Sequence, residues 1–311
     1  MHALHPGVAF VRTRLLFDKD VRGHLTPTLA VEAARAALID AYQGRLVSPP
    51  RTHTMVGPGA LVFTAGGYAN GKCGVRVYQT GRDASDQVVL VWAGDGRLSG
   101  CIVGAELGSM RTGALGAAAT GALARADAEI VSVIGSGRQA WAQLWALTAV
   151  RQAVEVRVYS PNERHRRAFA ERAVSELGLD ATPVATAQQA VEGADIIILA
   201  TVSEQPVISS AWVAAGAHVN TVGPKLVSAH ETPPDLAANA AVVVSDSPGQ
   251  AAAYGEPFFT SRELTHLGAL LCNDTPGRTS DTDITMYAST GLAGSEVVVA
   301  NAMLDLLDAE S

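Results

Sequence analysis

The chain has 311 residues, 48% of them hydrophobic and 17% charged, so it is long enough for two domains with buried cores and too apolar for long disordered tails. Its formal net charge of −7 at pH 7 argues against a nucleic-acid-binding protein. Because no apolar run reaches the length of about eighteen residues that a membrane span needs, and the N-terminus lacks the charged-then-apolar order of a signal peptide, we expect a soluble, cytoplasmic protein without a membrane partner.

The first 110 residues or so are predicted to form strands with one helix. Thr26-Pro27-Thr28 begins a helical run that ends at Gly44. Short apolar runs separated by Gly, Asp and Asn turns then predict strands at 60–68, 74–79, 87–93 and 100–107. Gly94-Asp95-Gly96 has the composition of a hairpin turn, so we expect an antiparallel sheet with little parallel character.

The middle of the chain has the pattern of an α/β fold. Residues 112–125 carry small side chains at helical spacing, which predicts a helix packed tightly against a neighbour. From residue 129 to about residue 270, strands and helices alternate, which is typical of a parallel sheet covered on both faces. The predicted strands are 129–135, 154–160, 195–201, 217–223 and 241–246, and the predicted helices are 138–150, 163–178 and 186–194. An amphipathic helix over 291–310 follows and is expected to return to the first domain.

The cysteines do not form a disulfide or metal-binding pattern. Cys73, Cys101 and Cys272 lie far apart, and no pair has metal-ligand spacing. We therefore expect three reduced thiols and no metal site.

A glycine-rich turn follows the first strand of the alternating region and opens the next helix. It consists of Gly135, Ser136, Gly137, Arg138, Gln139 and Ala140. The first glycine permits the tight turn, the second leaves room for a pyrophosphate, and the alanine allows close helix–strand packing. The helix N-terminus offers free N–H groups and a positive dipole end to phosphates. These six residues, together with Thr201, Val222 and Gly223 at the ends of later strands, are the predicted dinucleotide contacts of a Rossmann domain.

The end of the second strand is expected to select the cofactor. In NAD-binding domains an acidic residue there accepts hydrogen bonds from the ribose. This chain has Tyr159-Ser160-Pro161, without a carboxylate at the strand tip, and Arg164 follows. Ser160 and Arg164 suit the 2′-phosphate of NADP, so the sequence favours NADP slightly. NAD stays open, because Glu163 takes the ribose role if the register shifts.

Several separated motifs resemble the ornithine cyclodeaminase/μ-crystallin family. They are Pro50-Arg51-Thr52, 74–77, Arg111-Thr112-Gly113-Ala114, 135–140, 192–201, 216–223 and 287–293, and the match spans about residues 25–308. The resemblance implies a Rossmann domain over 112–287 and a second, α+β domain for substrate binding and dimerisation, built from 1–111 and 288–311. It also implies a homodimer that handles an amino acid, an imine or a 2-oxo acid between the domains.

The resemblance also assigns the substrate site. Arg51 and Arg111 match the two arginines that hold the substrate carboxylate, a task that suits the fixed fork of a guanidinium group. Arg76 stands where the family has a lysine, and it keeps the charge but is a poor acid or base. Lys225 stands where cyclodeaminases have an aspartate, and this reversed charge favours contact with a substrate carboxylate or a cofactor phosphate. Arg76 and Lys225 are therefore the candidate catalytic residues, and Glu231 matches a family glutamate.

Three functions follow from these residues. The favoured one is an NAD(P)-dependent oxidoreductase that acts on the Cα–N bond of a small amino acid or cyclic imine. The second is a cyclodeaminase lyase that uses NAD catalytically, against which the missing aspartate argues. The third is a nucleotide- and small-molecule-binding protein without turnover, which the two changed catalytic positions motivate.

Overall fold

The computed structural model describes residues 13–81, 86–153, 155–253, 256–259 and 264–309. The N-terminal residues assessed for a signal sequence lie outside the described residues, as do residue 154 at the start of a predicted strand and residue 310 at the end of the last predicted helix. Within the described ranges, no helix is both long and apolar enough to cross a membrane.

The first part of the chain forms a largely antiparallel sheet with helices on one side. Its elements are β1 (Arg14–Phe17), α1 (Asp18–His24), α2 (Pro27–Tyr42), β2 (Leu46–Val47), β3 (Thr52–Val56), β4 (Gly59–Tyr68), β5 (Cys73–Gln79), β6 (Gln87–Trp92), β7 (Leu98–Val103) and α3 (Glu106–Leu123). The strand order is β1-β7-β6-β5-β4-β2, with β3 also paired to β4. The predicted antiparallel sheet is confirmed, except that β1, which the sequence patterns did not predict, pairs with β7 in parallel.

Local signals in this region are confirmed, with one difference in a helix boundary. The Thr26 hydroxyl accepts a hydrogen bond from the N–H of Leu29 and so caps α2, and Gly96 adopts φ of 82° in the hairpin turn. The prediction was wrong for the start of α3, which begins at Glu106 and not at residue 112. The carboxylate of Asp18 accepts a hydrogen bond from the N–H of Glu106 at 2.9 Å, so a distant side chain fixes the start of the helix.

The second part of the chain is an eight-stranded parallel sheet with helices around it. Its elements are β8 (Ile130–Ile134), α4 (Arg138–Leu147), β9 (Glu155–Tyr159), α5 (Glu163–Leu177), β10 (Ala181–Pro183), α6 (Ala187–Val191), β11 (Ile196–Leu199), β12 (His218–Thr221), α7 (Pro234–Asn239), β13 (Val242–Ser245), α8 (Pro248–Ala252), β14 (Thr265–His266), α9 (Leu267–Leu271) and β15 (Thr285–Ala288). The order is β10-β9-β8-β11-β12-β15-β13-β14. This arrangement confirms the Rossmann-type α/β fold, but the sheet extends past residue 270 because β15 inserts between β12 and β13.

The last helix returns to the antiparallel sheet, as predicted. This helix, α10 (Ser295–Ala309), shares one hydrophobic core with α2, α3 and β6. The predicted domain boundaries at 111/112 and 287/288 fall inside α3 and β15, respectively. They stay a prediction, since α3 packs against both parts of the chain.

Small residues bring α3 close to the Rossmann helix α4, as the sequence predicted. A Cβ on Gly113 would lie 2.0 Å from the carbonyl oxygen of Ala142, so a larger residue would separate the helices. Gln143 donates to the carbonyl oxygen of Thr112 at 3.0 Å, and Asn220 donates to the carbonyl oxygen of Gly116 at 3.2 Å. This contact fixes α3, which carries one predicted substrate arginine, against the predicted nucleotide-binding loop.

Candidate active site

The turn between β8 and α4 has the backbone of a dinucleotide-binding loop. Gly135 adopts φ of 121°, and a Cβ there would lie 2.3 Å from the carbonyl oxygen of Ala200. A Cβ on Gly137 would instead meet no protein atom within 4 Å. Packing of the protein therefore requires the first glycine but not the second, which leaves space beside the free N–H groups of α4 for an anion. Ala140 is fully buried, as close helix–strand packing demands.

A cavity of about 240 Å³ lies over this turn. Its lining includes six of the predicted cofactor residues, namely Gly137, Arg138, Gln139, Thr201, Val222 and Gly223. Ser136 lines a neighbouring cavity that shares Gly137 and Arg138 with the first. The side-chain oxygen of Gln139 is buried and has no hydrogen-bond partner among the described residues. An open glycine cradle and an unused buried acceptor fit a bound nicotinamide dinucleotide.

The residues at the tip of β9 do not line the cavity over the glycine turn. Ser160 is buried there, and Arg164 is exposed in the first turn of α5. Arg166 donates to the carbonyl oxygen of Ser160 at 3.1 Å, a contact that the sequence did not reveal. Glu163 pairs with Arg167 at 2.8 Å on its own helix, so its carboxylate already has a cationic partner.

Glu231 fixes the strand ends that line the cofactor cavity. One carboxylate oxygen accepts from the N–H and the hydroxyl of Thr201, both at 2.8 Å. The other accepts from the hydroxyl of Thr221 at 2.9 Å and from the N–H groups of Val222 at 3.0 Å and Gly223 at 2.6 Å. This fully buried glutamate therefore ties the ends of β11 and β12 together and is a positioning residue.

A second cavity, of about 410 Å³, brings together Arg51, Arg76, Arg111 and Lys225. The sequence singled out all four, and they arrive from the segment before β3, from β5, from α3 and from the loop after β12. This cavity adjoins the cofactor cavity. The two share Arg76, Gly108, Gln139, Val222 and Gly223. Among the described residues, the lining of the cationic cavity contains no aspartate or glutamate.

Arg76 and Arg111 share one buried carboxylate. Glu296, in the first turn of α10, accepts from Arg76 at 2.9 Å and lies 3.0 Å from Arg111. Burial by itself would raise the pKa of Glu296, but the charges of Arg111 and Arg76 outweigh it and hold that pKa below its ordinary value. Gln87 accepts two further hydrogen bonds from Arg76, at 3.0 Å and 2.6 Å, and the guanidinium lies over the ring of Tyr78. Arg76 is therefore held rigidly in place.

Arg111 keeps donors for a ligand. Its Nε and Nη1 atoms are buried and have no hydrogen-bond partner among the described residues. A buried guanidinium with unused donors is costly unless an acceptor arrives from outside the protein. The structure thus places at Arg111 the group that a substrate carboxylate needs.

The guanidinium of Arg51 lies near that of Arg111, beside Gly291. It donates from its backbone N–H to Gln250 at 2.8 Å, and from its guanidinium to Gln250 and to the carbonyl oxygen of Thr290. Asp246, fully buried at the end of β13, shapes that loop by accepting from the N–H of Thr290 at 2.7 Å and of Gly291 at 3.0 Å. A Cβ on Gly291 would lie 2.5 Å from Arg51 and 4.0 Å from Arg111, so the two guanidinium groups flank one point.

Lys225 is buried, and its ammonium donates to the carbonyl oxygen of Gly223. Burial, together with the smaller effect of the Arg51 charge, lowers the pKa of Lys225 to about 8, against the opposing attraction of Glu231 and Asp246. The ammonium is still protonated at neutral pH.

The two histidines in β12 and in the loop after it make structural contacts. His218 is fully buried between Thr285 and Asn220, both at 2.9 Å, and burial lowers its pKa to about 3. His230 stacks on Phe258 outside the cationic cavity. The described residues also contain no cluster of His, Cys, Asp and Glu that could hold a metal ion.

Sequence reasoning missed the acidic and amide partners of the arginines. Gln87, Gln250 and Glu296 come from β6, α8 and α10, and none stands in a motif. The one usable signal is Glu296 itself, a charge that precedes the apolar run of the last helix.

Comparison with known proteins gives a consistent assignment. The family model described as "Ornithine cyclodeaminase/mu-crystallin family" matches residues 11–310. Delta(1)-pyrroline-2-carboxylate reductase of Bacillus cereus is 34% identical over 206 residues, which are 63% of this chain and 63% of that protein. The match therefore spans less than two thirds of that relative. Iminosuccinate reductase of Paracoccus denitrificans is 26% identical over 307 residues, 93% of this chain and 95% of that one.

Solved structures share the whole fold. The Delta(1)-pyrroline-2-carboxylate reductase of Thermococcus litoralis, in complex with NADH and L-proline, has a TM-score of 0.85 and 26% identity. The similarity covers 95% of this chain and 98% of that chain, so it includes both sheets and the last helix.

Proposed function

This chain belongs to the ornithine cyclodeaminase/mu-crystallin family, and we propose that it is an NAD(P)-dependent oxidoreductase acting on the Cα–N bond of a small amino acid or imine. The observation that carries the proposal is the direct junction of two cavities, one over the glycine turn and one lined by four cations. A nicotinamide bound in the first would face a carboxylate-bearing substrate in the second. The relatives named above are reductases of imino acids, which supports this reaction class.

The proposed roles follow from the contacts of each side chain. The cofactor, when bound, supplies or accepts a hydride at the Cα carbon. Arg111 and Arg51 bind the substrate carboxylate and so fix Cα against the cofactor cavity. Arg76 and Lys225 are the proposed catalytic residues. Arg76, held by Glu296, places a fixed positive charge beside the reacting C–N group, and Lys225 contacts the substrate in the same cavity.

The reaction balances without an acid or base from Arg76. In the reductive direction, a reduced nicotinamide bound in the cofactor cavity would supply a hydride to the carbon of a protonated imine, and the C=N π pair would become the lone pair of the product amine. The iminium proton comes from water, because a guanidinium does not release its proton near neutral pH. The absence of a carboxylate from the described lining also disfavours the cyclodeaminase alternative, which needs a base for ring closure.

We propose NADP as the preferred cofactor, with NAD as the alternative. Ser160 stands at the strand tip where NAD-binding domains have a carboxylate, and the nearby Arg164 is exposed. The carboxylate of Glu163 is paired with Arg167, which supports NADP over a ribose-binding role for Glu163. The Thermococcus relative binds NADH, so a nicotinamide cofactor has the broader support.

We also propose a cytoplasmic homodimer built through the outer face of the antiparallel sheet. Large apolar side chains are exposed there in the single chain, including Leu15, Phe17 and Phe63, which the strand register places on one face. An open apolar sheet face of this kind is typical of a protein–protein interface. The three cysteines are free thiols, which is consistent with the reducing conditions of the cytoplasm.

A thermal-shift and turnover panel tests the enzymatic proposal. We expect NADPH to raise the Tm, with a further rise when a small carboxylate ligand is added. Nicotinamide absorbance is then followed with imino acids formed from 2-oxo acids and ammonia. Stabilisation by NAD and NADH alone would contradict the NADP preference. Tight cofactor binding without any turnover would favour the binding-protein alternative.

A further inference from the structure

The substrate cavity carries more positive charge than one carboxylate neutralises. Four cations line it, and among the described residues Glu296 is the one acidic side chain that forms an ion pair with any of them. Glu296 serves Arg76 and Arg111 together. Arg51 and Lys225 bind neutral oxygen atoms only. Buried cations without counter-charges are costly to the folded protein, so this surplus indicates an anionic ligand.

The two acidic residues whose charges act on Lys225 already accept hydrogen bonds from backbone N–H groups. Glu231 accepts three N–H and two hydroxyl hydrogen bonds from the ends of β11 and β12. Asp246 accepts from the N–H groups of Thr290, Gly291 and Leu292. Neither lies within ion-pair distance of Lys225, although both raise its pKa from further away. The ammonium therefore has no carboxylate partner of its own among the described residues.

Lys225 lines the same cavity as the two arginines proposed to bind the first carboxylate. Arg51 and Arg111 flank one point near Gly291, as described above, and so share one anion. Arg76 and Arg111 share Glu296, whereas Arg51 donates to the carbonyl oxygen of Thr290, which lines an adjoining cavity together with Lys225. Arg76 and Arg111 therefore lie beside Glu296, and Arg51 and Lys225 lie beside Thr290. A ligand held by Arg51 and Arg111 therefore shares its cavity with the ammonium of Lys225.

We propose that Lys225 binds a second carboxylate, so that the substrates are short dicarboxylic 2-imino or 2-amino acids. This inference rests on the proposed oxidoreductase function, since it assigns the substrate class of the same site. A monocarboxylic substrate would leave the buried ammonium without an anion, whereas a dicarboxylic one satisfies both the arginine pair and Lys225.

The test compares two unreactive ligands of equal chain length, succinate and butyrate. Calorimetry on the protein saturated with its nicotinamide cofactor gives the Kd of each. We expect succinate to bind at least about tenfold more tightly, since a hydrogen bond to a charged group contributes that much. In Lys225→Met, which keeps a long unbranched side chain but removes the charge, the ratio of the two Kd values should fall to about one. Lys225→Arg, which keeps the charge, should retain a preference for succinate.

Other results would overturn either the second carboxylate site or the oxidoreductase proposal. Equal binding of the two ligands by the unaltered protein, or an unchanged ratio in Lys225→Met, overturns the second carboxylate site. Weakened cofactor binding in Lys225→Met with an unchanged succinate preference assigns the lysine to a cofactor phosphate and overturns it as well. Turnover is a separate readout. If no imino acid is reduced while the succinate preference holds, the oxidoreductase proposal fails and the second anion site stands.

Discussion

Replacing Lys225 with methionine should make the ligand-free protein more stable at neutral pH. The pKa of Lys225 lies at about 8, below the ordinary value of 10.5, because burial disfavours the ammonium more than nearby carboxylates favour it. The lowering of the pKa corresponds to about 3 kcal/mol of destabilisation at pH 7, since each tenfold change in a proton-binding constant is about 1.4 kcal/mol. Methionine fills the same space without the charge, so Lys225→Met should recover most of this free energy of unfolding.

The stability difference between Lys225→Met and the unaltered protein should depend on pH. Between about pH 8 and pH 10.5 the unfolded chain holds a proton on Lys225 that the folded protein has released, so the stability of the unaltered protein rises with pH relative to the variant. The advantage of Lys225→Met should therefore shrink to about 1 kcal/mol at pH 10. Urea unfolding of both proteins at pH 7 and pH 10 measures this difference directly.

A matched control is available in the exposed Lys19. Lys19→Met should change the free energy of unfolding by no more than about 0.5 kcal/mol at either pH, because it removes no buried charge. The reasoning would be refuted if Lys225→Met were less stable than the unaltered protein at pH 7. That result would mean that the attraction of Glu231 and Asp246 outweighs burial.

Three further predictions concern the cofactor turn, the substrate arginine and the sheet face. Gly137→Ala should keep its ligand-free Tm but bind the dinucleotide more weakly. Gly135→Ala should instead lose about 1–3 kcal/mol of stability. Thermal shift of each variant with and without cofactor distinguishes the two effects. Arg111→Ala should weaken carboxylate binding about 10–100-fold by calorimetry and spare the cofactor; loss of both contradicts its role. Phe63→Glu should yield a monomer by light scattering; an unchanged mass argues against this interface.

The parts of the fold that the sequence predicted are those set by local rules. The strand–glycine–helix sequence around Gly135 has one backbone solution, and the structure has it. The helix capped by Thr26 and the hairpin turn at Gly96 are also local. The boundary of α3 was wrong because Asp18, far away in sequence, fixes its first turn. The strand β15 was missed because its place in the sheet depends on its neighbours β12 and β13.

The candidate site divides in the same way. The cations were found because arginines 51 and 111 stand in motifs, and because Arg76 and Lys225 depart from motifs at known positions. Their partners were not found, because Glu296 reaches them only when α10 packs back on the antiparallel sheet. A contact across 220 positions of the chain leaves no local pattern to read.

The contacts of Arg76 give a physical reason for an arginine at a position where the family resemblance predicts a lysine. Arg76 binds Glu296 through one nitrogen and Gln87 through two others, and its plane lies over Tyr78. A lysine, with a single flexible ammonium, could not make these contacts in one fixed orientation. The arginine therefore gives up proton transfer and gains a rigid charge at one end of the cavity. With Lys225 as a second buried charge in the same cavity, the proposed site orients an anionic substrate and leaves the redox step to the cofactor.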